Sequence, residues 1–213
     1  MTSTLWAVGD SNTDPAGTPQ YRSRAWWQRY ADRVAGEAAG AGLVVGQGVG
    51  GSVVWAPDGS PHPRISDWLP QRLTGQPRPK RILVLGGTNN LHATGDGDLP
   101  ALFTAWDALH ERIETDFLVQ AFWLPVPPIR ISQVPAPAWP GAWESQLMAR
   151  RAAINGWLRT SMAPRGRLID IPESVLAGPD GRLRPDCDSG DGVHLGTLGH
   201  VRLADALPLW LGA

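Results

Sequence analysis

The sequence predicts an α/β fold in which a parallel sheet is covered on both faces by helices, and three observations carry that prediction. Short apolar runs alternate with longer stretches whose apolar residues recur at helical spacing. The runs end in glycine, amide or hydroxyl residues, as strands do where they deliver loops to the carboxyl edge of such a sheet. The 213 residues suffice for one well-buried core, and no repeat or composition shift divides them, so residues 1–213 read as a single domain.

The first strand is the apolar run from Leu5 to Val8, which breaks at Gly9 and delivers Asp10 and Ser11. A serine at the carboxyl end of a strand faces the ligand crevice of an open α/β sheet, which makes Ser11 the nucleophile candidate. Gly-Asp-Ser alone is also an ordinary strand-to-loop turn. After Ser23, the residues Trp27, Tyr30, Ala31, Val34 and Ala35 follow amphipathic helical spacing. Leu43 to Val45 is the second strand, followed by a glycine-rich segment from Gly46 to Ser52 that suits close backbone approach and, on glycine content alone, reads equally as a flexible turn without a ligand. This segment lacks the Gly-Lys-Ser/Thr ending of a Walker loop and the spacing of a dinucleotide fingerprint.

A short helix is expected over Ile65 to Leu73, and Arg81 to Leu85 is the third strand, ending in Gly86-Gly87-Thr88-Asn89-Asn90. Leu99, Leu102, Phe103, Trp106, Leu109 and Ile113 mark the next helix, and Phe117 to Leu124 the fourth strand. Pro125 to Pro140 is a rigid connector with six prolines. Trp143, Leu147, Ile154 and Leu158 outline another helix, Arg167 to Ile171 the fifth strand, and Leu198, Val201, Ala204 and Leu207 a last helix after Thr197.

Bulk properties exclude several classes. With 19 basic and 20 acidic side chains the chain has no electrostatic footprint for nucleic acid or a membrane surface. No run approaches the roughly 20 apolar residues of a membrane span, and the first residues lack the basic and apolar regions of a signal peptide, so a cytoplasmic or virion-associated protein is expected. Cys187 is the sole cysteine, which rules out an intramolecular disulfide. One lysine, abundant arginine and alanine, and 11 tryptophans point to a GC-rich coding genome, bacterial or viral.

Asp191 and His194 stand three apart in a glycine-rich loop before the last helix, where a carboxylate can orient an imidazole toward Ser11. Four blocks in this order, Val8-Gly9-Asp10-Ser11, Gly48-Val49-Gly50-Gly51, Gly87-Thr88-Asn89 and Asp191-Gly192-Val193-His194-Leu195, together resemble the SGNH hydrolases, or GDSL esterase/lipase family. The resemblance spans nearly the whole chain. It implies a three-layer α/β/α sandwich, flavodoxin-like, around a parallel sheet of about five strands, and hydrolysis of esters, thioesters or acetylated sugars without a cofactor or metal. It also implies that Ser11 is the nucleophile, His194 the general base and acid and Asp191 its orienter, with an oxyanion hole from the Ser11 and Gly51 N–H groups and the Asn89 amide. No Gly-x-Ser-x-Gly occurs, which argues against the other common serine-esterase fold. Two positions depart from the family pattern: Asn90 stands where aspartate usually follows the asparagine, and Asn12 where leucine usually follows the nucleophile.

Asp186, Asp188 and Asp191 alternate like calcium ligands, but glycine at position 190 and the lack of a closing glutamate argue against a metal site. His62, His92, His110 and His200 show no partner in sequence and read as surface or helix residues; His200 is the rival base, disfavoured because it falls inside the last helix. Cys187 has no basic neighbour to activate it. Trp55, Trp123, Trp139 and Trp143 follow strand ends, where they either pack or stack on a sugar ring; Asp10, Trp55, Trp123 and Trp139 are the substrate-contact candidates. The leading expectation is a serine esterase acting on a short acyl ester, such as an acetylated sugar, as its small-molecule partner. The alternatives are a lipase or thioesterase of the same family, or a non-catalytic carbohydrate-binding module that keeps the fold.

Overall fold

A computed structural model describes residues 4–14, 24–37, 42–75, 78–93 and 99–212. Its sheet has four parallel strands: β1 (Thr4–Gly9), β2 (Leu43–Gly48), β3 (Arg81–Leu85) and β4 (Gln120–Trp123), in the order β2-β1-β3-β4. The apolar β1 run takes a central place, where both faces of the strand are buried. Because side chains alternate across a strand, Trp6, Val8, Ile82, Val84 and Trp123 face one cluster of apolar residues, and Leu5, Ala7, Leu83, Leu85 and Phe122 face another.

Helices seal both clusters. On the first face lie α2 (Ile65–Gly75), the short α3 (Asn90–Ala93), α4 (Leu99–Asp116) and α5 (Glu144–Ser161). On the second lie α1 (Trp26–Glu37) and α6 (Thr197–Ala206). The result is the expected three-layer α/β/α arrangement.

The structure departs from the sequence expectations where long-range contacts intervene. The expected fifth strand makes a single parallel bridge, Trp123 to Leu168, with Trp123 N–H donating to Arg167 O and Ile169 N–H to Trp123 O, both at 2.9 Å. The chain then tightens, with Ile171 N–H donating to Ile169 O, so among the described residues the sheet has four strands. β4 begins at Gln120 instead of Phe117 because Leu118 is exposed and takes a φ of 56°, which ends any extended run. β2 runs to Gly48, past Val45, because its last residue still pairs with Gly9. A Cβ at Gly48 would lie 2.4 Å from Asp14 N, so the glycine permits the close approach that its segment suggests.

Two helices bury only part of the expected face: Tyr30, Val34, Ala204 and Leu207 are buried as expected, and other positions differ. In α1 the buried stripe is Trp26, Tyr30 and Val34, while Ala35 is exposed and Trp27, half-buried, donates from its indole N–H to Thr13 O at 3.1 Å; Ser23 lies outside the described residues. In α6 the buried positions are Gly199, His200, Leu203 and Ala204, with Leu198 exposed, because the helix crosses the Cys187 turn closely enough to put a Cβ at Gly199 2.6 Å from Cys187 O.

Candidate active site

The strand order brings three loops to one spot. The loops after β2, β1 and β3 carry Gly51, Ser11 and Asn89, and those strands are neighbours in the sheet. Val49 N–H donates to Gly9 O at 3.0 Å, tying the first two loops, and Asn89 Nδ2 donates to Ser52 O at 3.0 Å, tying the second to the third. Asn90 strengthens that link. Its Oδ1 accepts from Val54 N–H at 2.8 Å, its Nδ2 donates to Trp55 O at 2.7 Å, and its own carbonyl receives Arg150 Nε at 2.8 Å. Here the departure from the family pattern has a physical account: an amide both accepts and donates, whereas an ionised carboxylate only accepts.

The fourth loop arrives from far along the chain. Ser11 Oγ lies 2.9 Å from His194 Nε2, and His194 Nδ1 lies 2.6 Å from Asp191 Oδ2. Asp191 Oδ1 also accepts the backbone N–H groups of Val193 at 3.0 Å and His194 at 2.9 Å. Burial acts to raise the Asp191 pKa, but the hydrogen bonds from the His194 ring and from these backbone groups outweigh it and bring the carboxyl down to about 2. Asp191 is therefore a carboxylate at any working pH, and as an acceptor at Nδ1 it favours the tautomer whose unprotonated Nε2 faces Ser11 Oγ.

The loop's shape has its own supports. Asp188 Oδ1 accepts from Gly190 N–H at 2.9 Å and Gly192 N–H at 3.0 Å. Gly192 has a φ of 80°, and a Cβ there would meet the Ile131 backbone at 2.8 Å, so no other residue fits the turn. The proline-rich connector packs on the same loop: Arg130 N–H donates to Gly192 O at 2.7 Å and Ala138 N–H to Asp191 O at 2.9 Å.

The other candidates separate. Asp10 is fully buried under the serine turn, with Oδ1 accepting Asn12 N–H at 3.0 Å. Trp123 is also fully buried, its indole N–H donating to His110 Nδ1 at 3.3 Å. Neither presents an atom to a substrate, and both are corrected to structural positions: one shapes the loop, the other fills the core between β4 and α4. Trp55 is partly buried against the core, and half-buried Trp139 stacks on exposed His92 with ring centroids 5.3 Å apart. Trp143 is exposed and stands just before α5.

His110 and His200 lie in helices, within the surface-or-helix reading, but on buried faces, and burial lowers both pKa values, that of His200 to about 4. Asp186 binds Arg184 and Arg202, Asp188 caps its own loop and Asp191 holds His194, so the three carboxylates do not converge. Among the described residues no group of three or more metal-ligating side chains comes together. The Cys187 thiol is pushed up to about 11, by burial and by Asp186. Sequence reasoning missed the roles of Asn90, Arg150 and His92 and the partner of Asn12; the polar identity of Asn12 and Asn90 beside two motif residues was the available signal.

Among the described residues no helix is long and apolar enough to cross a membrane. Solved structures share the fold. A carbohydrate acetylesterase family member from Sinorhizobium meliloti matches with a TM-score of 0.66 at 19% identity, over 96% of this chain and 95% of that one. An acetyl xylan esterase from Geobacillus stearothermophilus matches with a TM-score of 0.66 at 16% identity, over 96% and 92%. A GDSL-like lipase from Bacteroides thetaiotaomicron matches with a TM-score of 0.65 at 15% identity, over 99% and 88%. Among curated protein sequences, none matches the chain. Residues 7–202 match the sequence model of the GDSL-like lipase/acylhydrolase family, and with the motif blocks gathered at the carboxyl edge of a shared fold, the chain belongs to that family of SGNH hydrolases.

Proposed function

We propose that this chain is a serine ester hydrolase that works through an acyl-enzyme and removes short acyl groups, acetyl first among them, from a sugar-like alcohol. The observation that carries the reading is the unbroken relay from ionised Asp191 through His194 to Ser11, at 2.6 and 2.9 Å. Ser11 Oγ attacks the ester carbonyl while His194 Nε2 takes its proton, and His194 then gives that proton to the departing alkoxide. Water repeats the sequence on the acyl-enzyme: His194 takes a proton from it, and Ser11 Oγ leaves with that proton as the acid is released. The N–H groups of Ser11 and Gly51 and the Asn89 amide are the donors assigned to the developing oxyanion.

The preference for a small acyl group rests on the proline-rich connector, whose bonds to Gly192 and Asp191 hold a stiff rim against the loop that carries His194. The carbohydrate alcohol is supported by the half-buried Trp139 within that connector, an aromatic face suited to a sugar ring, and by two structural neighbours, a carbohydrate acetylesterase family member and an acetyl xylan esterase. Hydrolysis of p-nitrophenyl acetate, with Ser11→Ala as control and mass-spectrometric mapping of a fluorophosphonate adduct, tests the reading. The expected adduct is on Ser11. No turnover by the wild type, or labelling at another residue, overturns it.

A further inference from the structure

The serine turn and the histidine loop are joined twice, through adjacent residue pairs. Ser11 meets His194, and the next residues meet as well: Asn12 Oδ1 accepts the Leu195 N–H at 2.9 Å. Asn12 is 1% exposed, so this bond is shielded from water. Its orientation is fixed, since turning the amide would set an N–H₂ against an N–H. Both ends are held. Asp10 Oδ1 receives the Asn12 N–H at 3.0 Å, and Leu195 forms an antiparallel bridge with Asp188, the residue that caps the loop.

The two links differ in how they behave during turnover. On the proposed mechanism, on which this inference rests, the Ser11–His194 hydrogen bond disappears when Oγ becomes the ester oxygen of the acyl-enzyme. The Asn12–Leu195 bond involves no reacting atom. We infer that Asn12 is a positioning residue that keeps His194 at working distance while Ser11 is acylated, so that Nε2 can take a proton from the incoming water and return it to Ser11 Oγ. Asp191 aims the imidazole within its own loop, but it shares that loop and cannot fix the loop's distance from the serine turn. A leucine at position 12 fills the volume and supplies no acceptor.

The deacylation step therefore depends on Asn12 more than acylation does. In Asn12→Leu, p-nitrophenyl acetate should give a pre-steady-state burst, with kcat and KM falling together by about tenfold or more, because a misplaced catalytic group costs up to about 100-fold. The rate of fluorophosphonate labelling, which needs only the first attack, should fall much less. Asn12→Asp keeps the acceptor and should restore most of kcat, while its added charge moves the acid limb of the pH profile to higher pH. Equal losses in labelling and turnover, or an Asn12→Asp variant as slow as Asn12→Leu, would overturn the inference. If Asn12→Leu does not fold, hydrogen exchange at the Leu195 amide in the wild type decides: protection should persist after Ser11 is blocked by fluorophosphonate, and its loss on modification refutes the brace. A wild type that neither hydrolyses the ester nor labels at Ser11 would instead count against the esterase reading itself.

Discussion

Asp191 grips His194 at two points, through the ring at 2.6 Å and through the backbone N–H at 2.9 Å. One carboxylate thus shapes the turn and orients the imidazole. Asp191→Asn keeps an oxygen for the backbone but replaces one acceptor by an amide donor, which favours the wrong tautomer. By the precedent of the serine proteases, kcat is expected to fall by up to about 10⁴-fold. Steady-state kinetics beside a thermal melt check this; near-full activity in Asp191→Asn with a loss in Asp188→Asn would reassign the carboxylate.

Asn89→Ala removes an amide whose resting partner is the Ser52 carbonyl. On the proposed mechanism the charge it faces exists mainly in the transition state, so kcat is expected to drop by about 100-fold with little change in KM. A rise in KM at constant kcat would make Asn89 a ground-state substrate contact.

Asn90→Leu strands the Val54 N–H and the Trp55 carbonyl that the amide now satisfies. Each unsatisfied buried group costs about 1–3 kcal/mol, so the melting temperature should fall by several degrees. Asn90→Asp should lie between, since it keeps the acceptor for Val54 and loses the donor to Trp55. Calorimetry on the three proteins orders them.

Two buried groups pull stability in opposite directions with pH. Burial, with Arg29 and His194 nearby, lowers His200 to about 4, so below its unfolded value of 6.5 the unfolded chain binds the extra proton and stability falls on acidification. Burial raises Asp10 to about 6 against the hydrogen bonds that lower it, so between 6 and 3.8 the folded chain binds the extra proton and stability rises on acidification. Each contribution is of order 3 kcal/mol at most. Asp10→Asn should therefore steepen the loss of melting temperature from pH 6.5 to 4, and His200→Gln should reverse its sign. Parallel slopes in the two variants would refute both assignments.

Acyl length reads the rim. The connector is held against the Asp191 loop at both Arg130 and Ala138, so kcat/KM for p-nitrophenyl esters should decline beyond butyryl. An acyl channel would add about 1–3 kcal/mol per methylene instead. Replacing Trp55 or Trp139 by alanine should raise KM for an acetylated saccharide more than for p-nitrophenyl acetate. A preference for octanoyl esters, with indifference to both changes, would move the assignment to a lipase or thioesterase.

The sequence by itself determined the alternation of elements and the four motif blocks, because periodicity and turn chemistry act over a few residues and need no distant partner. Arg81 to Leu85 is a strand in sequence and structure alike, since its apolar run is buried on both faces. Tertiary structure decided everything that depends on where the chain returns. Residues 167–171 read as a strand by composition, yet form only one bridge because the backbone turns at Ile171. His200 sits in the core because α6 crosses the Cys187 turn so closely that Gly199 approaches the Cys187 carbonyl. Trp123, at the end of a strand, meets α4 instead of solvent. The bond from Asn12 to Leu195 spans 183 residues, and no local pattern encodes it. An amide in sequence states what it can donate and accept; only the folded chain supplies the partner, since hydrogen bonds form over about 3 Å and sequence carries no distances.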